Sequence, residues 1–379
     1  ILSLTDHDYN PDPWELFPQY MSSVPARDPA ALGMLAVPGN ELSKDNTNSW
    51  SERTGGQFNH HNDFFTGRQG QEFASLQESY AYTYALGGMQ IINHPGQYWS
   101  IDNTYSETQK DGPGWHATNF KTYPSLIGLE VYNQGNRRPN DRILWDQILE
   151  RTMPARPVFG YSCDDAHNDD QLFRNYNFML MEDLTTEELK DAMRKGETYF
   201  CYEPKGSGEG KAPRISEIEV DEATKTITIE TDGLVYWIYG TDKTSSAASS
   251  TRSSVVGIGK TFHYNGYQGA YVRAFITNAY GETCTQPFGF IDSTLTNVEN
   301  IHTDGELKLF VFPNPATEEI SVMMNEANTM DVIRVYDIEG KQVLSQSVDG
   351  ALTTLPVGHL SSGIYLVTSG SRTGKFIKD

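Results

Sequence analysis

The sequence predicts an α/β chain: a parallel barrel of alternating strands and helices, followed by two small all-β sandwich units. Three observations predict it. Apolar runs of strand length end repeatedly in Asp, Glu or His. Helix-period segments separate several of those runs. After about residue 205 the pattern turns to short alternating strands with turns between them. Chemistry in β/α barrels sits at the carboxyl ends of the strands, so the acid and imidazole exits mark one candidate site.

The richest exit is Val158 to Asn168, an apolar run closing in Cys163-Asp164-Asp165-Ala166-His167. An extended chain repeats its facing every second residue, so Asp165 and His167 can aim at one point. Oxygen and imidazole nitrogen together suit a borderline divalent metal. Five more exits carry the same residue types. Ile1 to Thr5 runs into Asp6-His7-Asp8. Met34 to Val37 ends at Pro38-Gly39-Asn40-Glu41. Gln57 to Asp63 holds His60 and His61, of which at most one faces a shared site. Met89 to Ile92 leads to His94 before Pro95, which a central strand cannot continue through. Leu126 to Asn133 carries Glu130. Helices are expected over Gln71 to Leu86, over Asp141 to Arg151, and from a capping box at Thr185 and Glu188 through Lys195, stopped by Gly196. Residues 97–122 read as a long polar, aromatic loop, a candidate lid.

Beyond the barrel, Lys205 to Gly210 is a flexible linker. Strands are expected at Ile215–Val220, Thr226–Glu230, Val235–Tyr239, Thr261–Tyr264 and Tyr271–Thr277, the spacing of a small β-sandwich. Its aromatics (Tyr236, Trp237, Tyr239, Tyr264, Tyr267, Tyr271) read first as core and strand residues, with a sugar-binding face as the alternative. A second linker covers 294–305, and a third all-β unit runs to Asp379. The domains are therefore 1–205, 206–296 and 297–379.

The formal net charge over 379 residues is −21, which repels nucleic acid and anionic membranes. No apolar run approaches membrane-spanning length. Three cysteines do not make a disulfide framework, although a Cys201–Cys284 bridge stays open. The chain begins at Ile1 in mid-strand without an initiator Met, as a fragment or processed chain would.

The strand-exit motifs resemble the PHP (polymerase and histidinol phosphatase) family in its secreted bacterial branch. The matching pieces are Leu4-Thr5-Asp6-His7, Pro38-Gly39-Asn40-Glu41, His60 in His-His-Asn, Asn93-His94-Pro95, Glu130-Val131-Tyr132-Asn133 and Asp165-Ala166-His167. The resemblance implies a distorted (β/α)7 barrel, here lacking its first strand, because the family's His-x-His pair would lie upstream of Ile1. It implies hydrolysis of phosphate mono- or diesters by two or three divalent ions (Zn, Mn or Fe). Carried over by position, the metal ligands are His7, Glu41, His60, His94, Asp165 and His167, with His61 in reserve. Asp6 and Asp165 take catalytic roles, and Asp6 or Asp164 would orient ligand imidazoles. Arg137 and Arg138 would grip the phosphate of a small-molecule substrate. Cys163 reads as a small packed residue rather than a nucleophile.

Residues 307–379 resemble the C-terminal sorting domain of the type IX (Por) secretion system. Its matching features are Phe312-Pro313-Asn314-Pro315, Val335-Tyr336-Asp337, Gly340-Lys341, Leu360 to Tyr365 and the basic end Lys375 to Lys378. This implies a partner, the type IX export machinery, and a secreted or cell-surface location. The expected activity is a secreted metal-dependent phosphoesterase. The rival is a surface binding protein in which a degenerate barrel presents a glycan-binding β-unit.

Overall fold

The computed structural model describes residues 1–5, 33–42, 60–67, 76–98, 110–168, 171–206, 211–241, 253–290, 309–312, 316–323, 332–348, 352–370 and 372–378. The described residues hold twenty-three strands and four α-helices.

The first sheet contains β1 (Leu2–Leu4), β2 (Ala36–Leu42), β3 (His61–Phe64), β4 (Met89–Ile92), β5 (Leu126–Asn133) and β6 (Phe159–Cys163), in that spatial order. In sequence, helix α1 (Leu76–Ala85) separates β3 from β4. Helix α2 (Pro113–Thr122) separates β4 from β5, and α3 (Asp141–Thr152) separates β5 from β6. Every residue of β5 is buried, as a strand covered on both faces must be. The expected loop over 97–122 thus contains a helix. Pro113 sits in its first turn, where the missing N–H costs nothing, and Phe120 is fully buried.

The (β/α)7 barrel is not the architecture. Such a barrel needs parallel strands throughout, yet β3 runs antiparallel to both β2 and β4. Only β1–β2, β4–β5 and β5–β6 are parallel. The chain also leaves this sheet after β6. Strands β7 (Asn175–Met179) and β8 (Thr198–Tyr202) pair with each other, and β8 pairs with a strand 80 residues onward. Between them lies α4 (Thr186–Lys195). Thr185 Oγ1 accepts the Glu188 N–H at its start, and Gly196 closes it at φ 71°.

The β6 rim is closed by side chains in place of a strand. Gln286 accepts the Gly160 N–H and donates to the Gly160 carbonyl, both at 2.8 Å. Asn177 does the same for Ser162, at 3.0 and 2.8 Å. Two carboxamides thereby satisfy peptide groups that burial would otherwise leave unpaired.

The next strands are β9 (Ile215–Asp221), β10 (Thr226–Thr231), β11 (Leu234–Thr241), β12 (Ser253–Ile258), β13 (Thr261–His263), β14 (Tyr271–Thr277), β15 (Glu282–Thr285) and β16 (Phe288–Gly289). One sheet has the order β12-β11-β14-β15-β8-β7, with β16 on β14; the other has the order β13-β10-β9. Trp237 and Tyr271 are fully buried, and Tyr239, Tyr264 and Tyr267 pack against the core clusters. Buried polar contacts tie these strands to the first sheet. Arg273 on β14 grips Asp146 on α3 through two bonds of 2.7 Å and lies 4.9 Å from the Trp145 ring. Tyr132 on β5 donates to Glu282 on β15 at 2.6 Å.

Cys201 and Cys284 lie on the adjacent strands β8 and β15, fully buried and free. Burial pushes their thiols up to about 12 and about 11 respectively.

The C-terminal unit contains β17 (Phe310–Phe312), β18 (Glu319–Met323), β19 (Val332–Tyr336), β20 (Gln342–Ser347), β21 (Leu352–Pro356), β22 (Gly363–Ser369) and β23 (Arg372–Lys378). Its two sheets, β17-β18-β21 and β20-β19-β22-β23, enclose Ile320, Val335, Val367 and Phe376. Its β19–β20 turn is built as the sequence suggests. Asp337 accepts the N–H groups of Glu339 and Lys341, and Gly340 takes φ 82°. Among the described residues, no helix is long and apolar enough to cross a membrane.

Candidate metal centre

Three of the sequence-predicted ligands converge. Glu41 comes from the end of β2, His60 immediately precedes β3 and His94 follows β4. One ligand atom from each lies within 4.8 Å of the others, and all three residues are buried. His60 Nδ1 is 2.8 Å from Glu41 Oε1, and His94 Nε2 is 3.4 Å from the same oxygen. The two imidazole rings stand 5.1 Å apart at 67°. His94 Nδ1 is buried without a hydrogen-bond partner.

Local structure explains the convergence. Facing alternates along a strand, so His60 and His61 part company: His61 Nε2 turns to Ser79 Oγ at 2.7 Å, away from Glu41. Asn93 and Asn62 lock the β3 and β4 ends together. The Asn62 N–H donates to Asn93 Oδ1, and Asn93 Nδ2 donates to Asn62 Oδ1, both at 3.0 Å. The Asn93 N–H reaches the His60 carbonyl at 2.9 Å, which ties both imidazole carriers to one junction.

A second tier of polar residues lies behind this group. Glu130, fully buried on β5, accepts the His94 N–H at 2.8 Å and Asn133 Nδ2 at 2.9 Å on one oxygen, Oε2. Burial holds its carboxyl well above the usual range, and the charges of Glu41 and Asp165 push it further. The same Asn133 nitrogen reaches Asp165 Oδ2 at 3.1 Å. Gln134 Nε2 also donates to that oxygen, and Gln134 Oε1 accepts from Arg137 at 2.6 Å. The motif Glu130 to Asn133 is conspicuous in the sequence as a strand exit. The bonds of Glu130 and Asn133 to His94 and Asp165 are missed there, because only tertiary structure brings these residues together.

The other predicted residues fall in three places. Asp6 and His7 lie outside the described residues. Asp165 joins the Asn133–Gln134 network but not the three-residue group. The side chain of His167 is 62% exposed, and its Nδ1 lies 2.9 Å from the Asp165 carbonyl oxygen. Asp164 accepts the backbone N–H groups of Phe173, Arg174 and Asn175, so it closes its own loop instead of orienting an imidazole. Cys163 lies half-buried beside Glu130, and burial together with that carboxylate raises its thiol well above the usual range. Arg137 is held at the rim through Gln134. The Arg138 carbonyl accepts the Asp141 N–H at 3.0 Å, at the start of α3.

The donor set fits a divalent cation. One carboxylate and two imidazoles, gathered in a buried site, match the ligands of borderline metals, and three protein ligands leave positions open for water or substrate.

Residues 310–379 match the family described as the secretion system C-terminal sorting domain. The chain is therefore exported through type IX secretion to the cell surface or beyond. No curated protein matches the chain. Among solved structures, it is similar to PorZ of Porphyromonas gingivalis, an essential bacterial surface component of the type IX secretion system. That match has 14% identity, covers 44% of this chain and 23% of PorZ, and has a TM-score of 0.16. A second match is latent dimeric PorU of the same organism, with 12% identity, coverage of 48% and 23%, and a TM-score of 0.16. The chain spans under a quarter of either protein, and no argument rests on likenesses this slight.

Proposed function

We propose that the chain is an exported metal-dependent hydrolase of phosphate esters, with its centre at Glu41, His60 and His94. The observation that carries this reading is the buried carboxylate–imidazole–imidazole group drawn from three strand ends. Glu41 Oε1 and His60 Nδ1 share a contact of 2.8 Å, and a cation entering the group would take the place of the proton between them. A cation held there would supply Lewis acidity at a phosphoryl oxygen and lower the pKa of a water toward about 7.

The chain's own residues then have distinct tasks. Glu41 offers the anionic oxygen, lying between the two imidazoles. His60 and His94 would hold the cation through ring nitrogens. Glu130 holds the His94 backbone, and Asn133 relays that hold to Asp165. The Arg137 guanidinium, steadied by Gln134, is available to pair with a substrate phosphate at the rim. Asp165 is the candidate for a further ion or for proton transfer, with His167 beside it. The phosphate ester, as against another hydrolysable bond, rests on this cationic rim and on the motifs of the sequence.

The test is metal analysis of the purified full chain alongside assays with p-nitrophenyl phosphate, its diester and p-nitrophenyl acetate. Bound Zn, Mn or Fe is expected, with hydrolysis of a phosphate ester that chelation abolishes and added metal restores. Replacing His94 by Ala should remove both metal and activity. A metal-free protein inactive on all three substrates sinks the proposal and favours a binding role at the surface.

A further inference from the structure

Three strand ends at the centre turn through backbone that residues with side chains rarely adopt. His94 after β4 has φ 29°, Gln134 after β5 has φ 44°, and Asp165 after β6 has φ 44°. Each such turn is strained and persists only where its surroundings over-determine it. Here one buried carboxylate and one carboxamide do so. Glu130 Oε2 fixes the His94 N–H and the Asn133 amide, and that amide in turn reaches Asp165. Gln134 completes the set with bonds to both the carboxylate and the carbonyl of Asp165, each at 3.1 Å.

We infer that Glu130 and Asn133 are positioning residues, a buried clamp that sets where His94 and Asp165 stand relative to Glu41 and His60. The inference rests on the metal-centre reading above. Strand packing alone does not explain the clamp. An apolar residue would fill the β5 position without burying a carboxyl group beside two other carboxyl groups. What an apolar residue lacks is an acceptor for the His94 N–H at the point where the chain reverses. A ligand whose backbone is free to relax binds metal less well, and loss of such outer partners typically costs 10–100-fold in affinity.

The experiment titrates the metal-free full chain with Co²⁺ alone, following the visible absorption of the bound ion. In parallel it measures hydrogen exchange at the His94 amide of the metal-free protein. Glu130→Ala is expected to weaken Co²⁺ binding by about 10–100-fold, to shift the absorption band and to expose the His94 amide. Glu130→Gln keeps an oxygen that can accept both N–H groups, so it should restore most of the affinity and the protection. Asn133→Ala, which leaves the His94 bond intact and frees Asp165, should weaken binding by about tenfold; it carries the test should Glu130→Ala fail to fold. The clamp is overturned if the alanine variants bind Co²⁺ and protect the amide as the parent does. It is also overturned if Glu130→Gln is as weak as Glu130→Ala, since charge and not acceptor geometry would then matter. A parent chain that binds no Co²⁺ sinks the metal-centre reading, and the exchange at His94 still decides the clamp.

Discussion

The C-terminal sandwich and the body before it bury their apolar surface in opposite ways. Among the described residues, the sandwich core from Leu309 to Phe376 draws on side chains of that unit. The core around Trp145 gathers Tyr80 and Leu129 from before the Gly-rich run at 206–210, and Tyr271 and Cys284 from after it. Composition makes both look like modules joined by linkers. The sorting unit builds its core from its own strands. The body instead shares one sheet across β8 and β15, fastened by Asp146–Arg273 and by the bonds of Gln286 to Gly160 of β6.

The largest test of this contrast breaks the buried ion pair. Arg273→Ala should destabilise the body by about 3–5 kcal/mol, because Asp146 is left charged and buried. Urea melts followed by hydrogen exchange in β5 and β14 should move together. Separate transitions for the two strands would make the body modular after all. Next, Phe376→Ala should cost the sandwich roughly 3 kcal/mol while leaving the body's midpoint unchanged. A smaller loss, roughly 2 kcal/mol, is expected for Gln286→Ala, which strands the Gly160 peptide groups; calorimetry would register it in the body's transition alone.

The last effect is small per unit of pH and accumulates across a window. His116 on α2 is buried, and burial lowers its pKa from the usual 6.5 to about 3. The unfolded chain therefore binds a proton between about pH 6.5 and 3 that the folded chain refuses. Stability should fall with falling pH across that window, by up to about 1.4 kcal/mol per unit. His116→Phe should flatten this dependence in acid melts; an unchanged slope would remove His116 as its source.

Much of the site was legible because ligand-type residues at strand ends need only local sequence to be noticed. Glu41, His60 and His94 stand out beside apolar runs, and strand alternation separates His60 from His61. Strand direction is not local. The four residues of β3 pair antiparallel on both sides for reasons of tertiary packing, and that alone defeats the barrel. Asp146 reads as the polar face of a helix until Arg273, 127 residues later, arrives beside it. Gln286 and Asn177 look like ordinary polar residues, yet they finish a sheet. The sorting unit was legible through its motifs and its Gly340-Lys341 turn, which are local, although its strands pair over longer stretches, as Arg334 does with Thr368.

The two thiols on β8 and β15 bear on how the molecule ages. A protein delivered outside the cell meets oxidants that attack thiolates far faster than thiols. Cys201 and Cys284 stay protonated and out of reach, so the shared sheet should resist peroxide for as long as it stays folded. Oxidative labelling at these positions would then report the moment it opens.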